Sequence, residues 1–172
     1  ILTNNTCKII KLENETKGAA CSAMMAVEYI DNDTPLIISN ADQLFDICLN
    51  EVLTSFDNSD AGVITFESVH PRWSYVRLNE KSLVTEIAEK RPISKSAIAG
   101  FYYFKKGSDF ISSSTKMIKK DASINGLYYV SPVLNEMVLE NKTINIFQIQ
   151  NSKYHTFYTP EKIKEYQRII SC

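Results

Sequence analysis

The sequence predicts an α/β fold: a mostly parallel mixed sheet flanked by helices, with a small β-hairpin insertion. Two patterns carry this reading. In the first third of the chain, short apolar runs bounded by turn residues alternate with segments of helical spacing, giving β-α-β-α-β. Within them, Leu36-Ile37-Ile38 is continuously apolar, as a strand covered on both faces would be. The bulk properties agree, since 172 residues at 44% hydrophobic and 23% charged suffice for one domain with a sizeable core.

Each element follows from local signals. Lys8 to Leu12 is a short β-branched run and is expected to be a strand. Gly18 opens a helix through about Ile30, apolar on nearly every face and so expected to be buried on several sides. The turn Asp31 to Pro35 leads into the strand Leu36–Ser39, expected to be central and parallel. Leu44, Ile47, Cys48, Val52 and Phe56 then recur at helical spacing, which starts a helix at Gln43 or Leu44. Gly62 to Glu67 reads as a strand. Trp73–Leu78 and Leu83–Ala88 read as a hairpin inserted around the Asn79-Glu80-Lys81-Ser82 turn, and Ala97–Lys105 as a long aromatic strand. Ser108–Lys119 and the segment from Pro132 to about Glu140 are helical, with a strand over Thr143–Ile149. The last helix has Thr159 as N-cap, Pro160 at its first position and Glu161 in its first turn. No repeat or low-complexity linker divides residues 1–172, so one domain is expected. The chain opens Ile-Leu-Thr and enters an apolar run almost at once, which reads as a domain whose beginning has been removed or not recorded.

Several function classes drop out. A net charge of −1 points to neither nucleic acid nor an anionic membrane as partner. No apolar run approaches the roughly 20 residues needed to cross a bilayer. The four cysteines (Cys7, Cys21, Cys48, Cys172) form no CxxC pair, which argues against zinc and for a reducing cytoplasm. Cys21 and Cys48 fall in apolar segments and are expected to be buried. GxSxG, HExxH, P-loop and GxGxxG patterns are all missing, and His70 and His155 lack companion motifs.

What remains is a set of weak local signals. Asp42 follows the strand Leu36–Ser39, where an α/β sheet places ligands, so it is either a Mg²⁺-binding carboxylate or the N-cap of the next helix. Glu89-Lys90 could grip hydroxyls and a phosphate, or be an exposed charged turn. Gly18, after Thr16-Lys17, could admit a base or phosphate at a helix start, or simply begin the helix. Gly100 inside an aromatic strand marks either a ligand's approach or a bulge. Trp73-Ser74 could form a sugar platform or belong to the core.

The order of these signals is more specific than any one of them. Glu15 to Ala20, then Pro35 to Gln43, resembles the base-binding glycine and metal-binding aspartate of the nucleotidyltransferases that make nucleoside-diphosphate sugars. Pro71-Arg72-Trp73-Ser74-Tyr75, Val84 to Pro92 and Ala97 to Phe104 resemble that family's Tyr-Gly sugar contact, Glu-Lys-Pro motif and Gly-hydrophobic-Tyr strand. Tyr128 to Glu136 and Tyr158-Thr159-Pro160-Glu161 are similar to its later segments. The likeness runs along essentially the whole chain and is nearest to bacterial members from capsule and surface-polysaccharide clusters.

The resemblance implies a Rossmann-like, GT-A-type domain in which Thr16, Gly18, Ala19 and Asn40 bind the nucleotide. Asp42 would hold Mg²⁺ and act with Lys90 in catalysis. Glu89 and Lys90 would grip a phosphorylated acceptor, a sugar 1-phosphate, with Trp73, Ser74, Ile98 and Gly100 lining its pocket. The implied reaction transfers NMP from an NTP (CTP, dTTP or UTP) and releases pyrophosphate, and homo-oligomerisation is left open. Three features depart from the pattern. The family's first strand and Gly-rich loop are not in this sequence, and Trp73-Ser74 stands for Tyr-Gly. Thr156-Phe157-Tyr158-Thr159-Pro160 also lacks the second aspartate and the glycine of the family's later segment. A non-catalytic binding subunit is therefore the alternative from another class, with a GT-A glycosyltransferase behind it.

Overall fold

The computed structural model describes residues 7–170. One long strand organises it. β6 (Ser96–Phe104) pairs antiparallel along one edge with β3 (Ala61–Glu67), which pairs in parallel with β7 (Ile144–Gln148). The opposite edge of β6 is shared. Ala97 pairs with Tyr75 of β4 (Tyr75–Leu78), itself in a hairpin with β5 (Val84–Ala88), whereas Phe101 to Phe104 pair with β1 (Leu36–Ser39). The sheet order is β5-β4-β6-β3-β7, with β1 beside β6.

Strand alternation sends the two faces of β6 to different cores. Ile98, Tyr102 and Phe104 pack with Phe110, Met117, Leu134 and Met137 under α4 (Gly107–Lys119) and α5 (Val133–Leu139). Ala97, Ala99, Phe101 and Tyr103 pack with Val52 and Phe56 of the segment carrying α3 (Leu49–Ser55). A ribbon of β2 (Gln43–Phe45) and β8 (Tyr154–Thr156) closes that second side, and α6 (Pro160–Ile170) follows it. Among the described residues no helix is long and apolar enough to cross a membrane.

The α/β class holds, and most elements lie where their patterns put them. The differences share one cause, which is that tertiary pairing overrides local period. Lys8 to Leu12 forms no strand: it has no ladder partner among the described residues, Ile9 is 88% exposed, and Lys8 instead places Nζ 4.1 Å from the Tyr29 ring centroid. The expected helix from Gly18 to Ile30 is two, α1 (Ala19–Met24) and α2 (Val27–Ile30), and only Ala20 is buried. Both pack against α4, and Met25 is left 56% exposed. The helical spacing from Leu44 begins instead with β2, because residues 43–45 ladder onto β8, and the helix starts at Leu49. Cys48 is thus an exposed N-cap rather than a buried residue, Cys21 is half-buried, and Cys172 lies outside the described residues.

β1 is neither central nor parallel among the described residues. It is an antiparallel neighbour of β6 with one edge paired, and among the described residues the only parallel pair is β3 with β7. The β4–β5 hairpin forms as expected and extends the main sheet, and Asn135 of α5 fastens its outer edge by accepting from the Ile87 N–H and donating to the Ile87 carbonyl, both at 2.9 Å.

Candidate functional site

The shared edge of β6 creates a cleft. Between the Val63–Tyr102 and Thr65–Ile98 pairs, β3 spends one residue and β6 three, a bulge centred on Gly100 at φ +62. Here β6 leaves β4 and has not yet met β1. The Ile98 N–H donates to the Ser74 carbonyl at 2.8 Å, and the Gly100 carbonyl accepts the Asn40 N–H at 3.0 Å. A Cβ on Gly100 would fall 2.4 Å from Asn40 Nδ2. The glycine is therefore both a bulge and part of a cleft wall.

The cleft has a volume of about 340 Å³. It gathers Ala19, Asn40, Trp73, Ser74, Glu89, Lys90, Ile98 and Gly100, which the sequence singled out, with Arg72, Tyr102, Tyr129 and Val130, which it did not. Tyr102 and Tyr129 lay inside quoted motifs, but nothing in their spacing separates a cleft tyrosine from a core one.

Glu89 is its most heavily positioned group. Ser74 and Ser131 both donate hydroxyls to Oε2, the latter at 2.6 Å. Nearby, burial pushes the Tyr102 phenol far up, and the Glu89 carboxylate adds to the effect, so this hydroxyl stays protonated. Lys90 takes the left-handed backbone region at φ +53, a cost of about 1–2 kcal/mol for a non-glycine residue. Its Nζ reaches the Tyr129 hydroxyl at 2.6 Å, a bond that holds the ammonium above its ordinary value. A fixed carboxylate thus lies one residue from a fixed cation in one cleft.

Three candidates lie off the cleft lining. Thr16 donates to the Gly18 carbonyl at 3.0 Å and bonds Ser22 Oγ at 2.6 Å, securing the start of α1. Gly18 has φ +112, and the place of its missing Cβ is filled by the Tyr128 main chain, with the Tyr128 carbonyl oxygen 2.5 Å away. Backbone bonds on either side, Tyr128 N–H to the Lys17 carbonyl (2.7 Å) and Ala20 N–H to the Tyr128 carbonyl (3.0 Å), strap residues 127–130 to α1. That strap sets Tyr129 and Val130 beside Ala19.

Asp42 is exposed on the turn into β2 and is not a helix cap, because no helix starts there. Its carbonyl accepts the Phe157 N–H at 2.8 Å, which brings the segment after β8 alongside. Its carboxylate has no hydrogen-bond or ion-pair partner among the described residues. These residues also contain no cluster of three or more His, Cys, Asp or Glu that could hold a metal.

The profile of the nucleotidyl transferase family matches residues 4–132. The chain belongs to this family. A search of curated proteins gives no significant match. Among solved structures, the chain resembles the nucleoside-diphosphate-sugar pyrophosphorylase of Vibrio cholerae RC9 (TM-score 0.76, 20% identity), over 91% of this chain and 67% of that one. It also resembles a Bacillus anthracis protein assigned as a glucose-1-phosphate thymidylyltransferase, in complex with a sucrose (0.72, 16%; 92% and 63%). A third is the inositol-1-phosphate CTP transferase of T. maritima (0.65, 17%; 88% and 60%). At these identities the structures establish a shared fold, and the chain spans between 60% and 67% of their lengths.

Proposed function

We propose that this chain carries the acceptor cleft and metal-holding turn of an enzyme that transfers a nucleoside monophosphate from an NTP to a phosphorylated acceptor, releasing pyrophosphate. The observation that carries the reading is the convergence of Glu89 and Lys90 on the cleft at the Gly100 bulge. In it, Lys90 and Tyr129 hold the acceptor's phosphate. Glu89 accepts its hydroxyls, and Trp73 supports the apolar face of a sugar, so that a sugar 1-phosphate is the acceptor and a surface-polysaccharide precursor the product. Ala19 and Asn40 face the nucleotide, with Thr16 and Gly18 supporting them from behind. The reaction needs no covalent nucleophile: in-line attack by the acceptor phosphate depends on positioning and charge neutralisation.

Asp42 is the residue that fits Mg²⁺. Asp42 offers one free, exposed carboxylate, which suits an ion that takes its other oxygens from water and nucleotide phosphates. Bound there, Mg²⁺ would neutralise phosphate charge. The decisive experiment is pyrophosphate release by the full gene product carrying this chain, over an NTP panel and a panel of phosphorylated acceptors. Lys90→Gln should raise KM for the acceptor and Asp42→Asn should abolish Mg²⁺-dependent turnover. Undiminished turnover in Asp42→Asn would sink the metal assignment. The single carboxylate favours one other reading, a binding subunit without activity, which predicts nucleotide or acceptor binding without pyrophosphate release.

A further inference from the structure

Beside the acceptor cleft lies a second cavity of about 280 Å³, and the two share Arg72 and Trp73. Its polar lining includes His70, Arg72 and Lys162, and no Asp or Glu lines it. The Arg72 guanidinium lies 3.6 Å from the Tyr158 ring centroid and 4.7 Å from that of Trp73. Stacking of this kind holds a guanidinium flat and leaves its N–H edge free for a bidentate anion. No carboxylate among the described residues pairs with it, whereas Arg77 and Arg91 both engage Glu86. Lys162 sits in the first turn of α6, next to Glu161, which occupies the helix N-terminus without lining the cavity. Its partner, Glu165 at 2.7 Å, lies on the same helix, and an exposed pair of this kind yields to a better anion at little cost. Phe66, Trp73 and Tyr154 form an apolar wall that strengthens any charge contact made there.

We infer that this cavity is a second anion site, taking a phosphate or carboxylate on the far end of the acceptor whose phosphate is held by Lys90. The inference rests on the acceptor reading given above. It follows from the shared wall: a ligand in the cleft that extends past the Trp73 edge meets Arg72 first, then His70 and Lys162. It narrows the acceptor class to molecules with two anionic groups.

The test is isothermal titration of the 172-residue chain with three probes. Glycerol 1-phosphate carries no second anion, 3-phosphoglycerate adds a carboxylate, and propane-1,3-diol bisphosphate adds a phosphate. Fluorescence of Trp73, the single tryptophan, is followed in parallel. One or both of the probes with two anionic groups should bind about tenfold tighter than glycerol 1-phosphate and shift the Trp73 emission, and the preferred one names the anion. The double variant His70→Gln/Lys162→Gln should erase that gain while leaving glycerol 1-phosphate affinity within about twofold. Equal binding of all three probes, or a gain that survives the double variant, overturns the second site but leaves the acceptor cleft standing, provided Lys90→Gln weakens glycerol 1-phosphate. If Lys90→Gln leaves that binding intact, the acceptor reading itself fails and this assignment falls with it.

Discussion

Replacing Gly18 by alanine separates two explanations of the same residue. If the glycine exists to admit a nucleobase, Gly18→Ala should weaken nucleotide binding and leave the fold untouched. The structure assigns the missing side chain to an internal contact. At φ +112 and ψ 172, Gly18 occupies a region essentially reserved for glycine, at a cost of about 1–3 kcal/mol for any other residue. The new Cβ would also lie 2.5 Å from the Tyr128 oxygen and 2.7 Å from its nitrogen, both main-chain atoms that cannot swing aside. Relieving the clash strains the bonds from Tyr128 to Lys17 and from Ala20 to Tyr128, each contributing about 1 kcal/mol net. The total is about 3–5 kcal/mol, or a fall in Tm on the order of 10 °C for a domain of this size. Calorimetry and urea unfolding of the isolated variant measure it directly. A Tm within about 2 °C of the parent would refute the internal-contact argument and return Gly18 to the ligand.

Three further outcomes follow from the geometry. Asn135→Ala strips both partners from the buried Ile87 main chain, so urea unfolding should register a loss of about 2–4 kcal/mol, with faster amide exchange at Ile87; an unchanged midpoint would contradict the edge-fastening role. Glu89→Gln keeps the side chain's shape but cannot accept equally from Ser74, Ser131 and an acceptor hydroxyl, so acceptor affinity should fall about tenfold with stability held within about 1 kcal/mol, and equal affinity would remove Glu89 from the cleft's function. Lys116 and Lys153 hold the Glu140 and Asp46 carboxyls below their ordinary values of 4.5 and 3.8, so their stabilisation is complete above those values and is lost as pH falls through the lower native ones; thermal melts on descending pH should show this acid limb, shallower in Lys116→Met, and an identical limb would show that the pair contributes nothing.

Much of the fold was legible because many boundaries carried local chemistry. Thr159-Pro160-Glu161 starts α6, the Asn79–Ser82 turn joins β4 to β5, and the aromatic run over 97–105 is β6 to within a residue at either end. What could not be read depends on partners distant in sequence. Leu44 and Phe45 have a helical neighbour pattern, and only the ladder to Tyr154 and His155 makes them a strand. The same limit applies to the cleft. Glu89 and Lys90 stood out as a charged pair, but Ser131, 42 residues beyond Glu89, has no pattern to mark it as the donor that fixes the carboxylate. Arg72 stood in the Pro71–Tyr75 segment with no role assigned to it, and its ring-stacked state is a property of Tyr158 and of the turn before β4.

The cleft itself comes from an arithmetic mismatch within the sheet. Opposite the single residue Ile64 of β3, β6 carries three residues, so its two additional residues must be accommodated by a turn in β6 itself. The main chain there turns at Gly100, breaks the ladder with β4 after Ala97 and resumes it with β1 at Phe101. An uninterrupted β6 would continue pairing along one neighbour, and the groups now aimed into the cleft would be spent on ladder bonds. With the break, the Gly100 carbonyl is free to collect both the Asn40 N–H and the Gln43 side-chain amide, at 3.0 and 2.9 Å. Gln43 also accepts the Tyr154 hydroxyl at 3.0 Å. One carbonyl thus ties the Gly100 cleft, the Asp42 turn and the wall of the second cavity to one strand. Groups that must cooperate on a single ligand are best held this way, because errors of about 1 Å in their spacing are costly. The bulge is what allows a sheet edge, ordinarily a surface to be covered, to form the floor of a cleft.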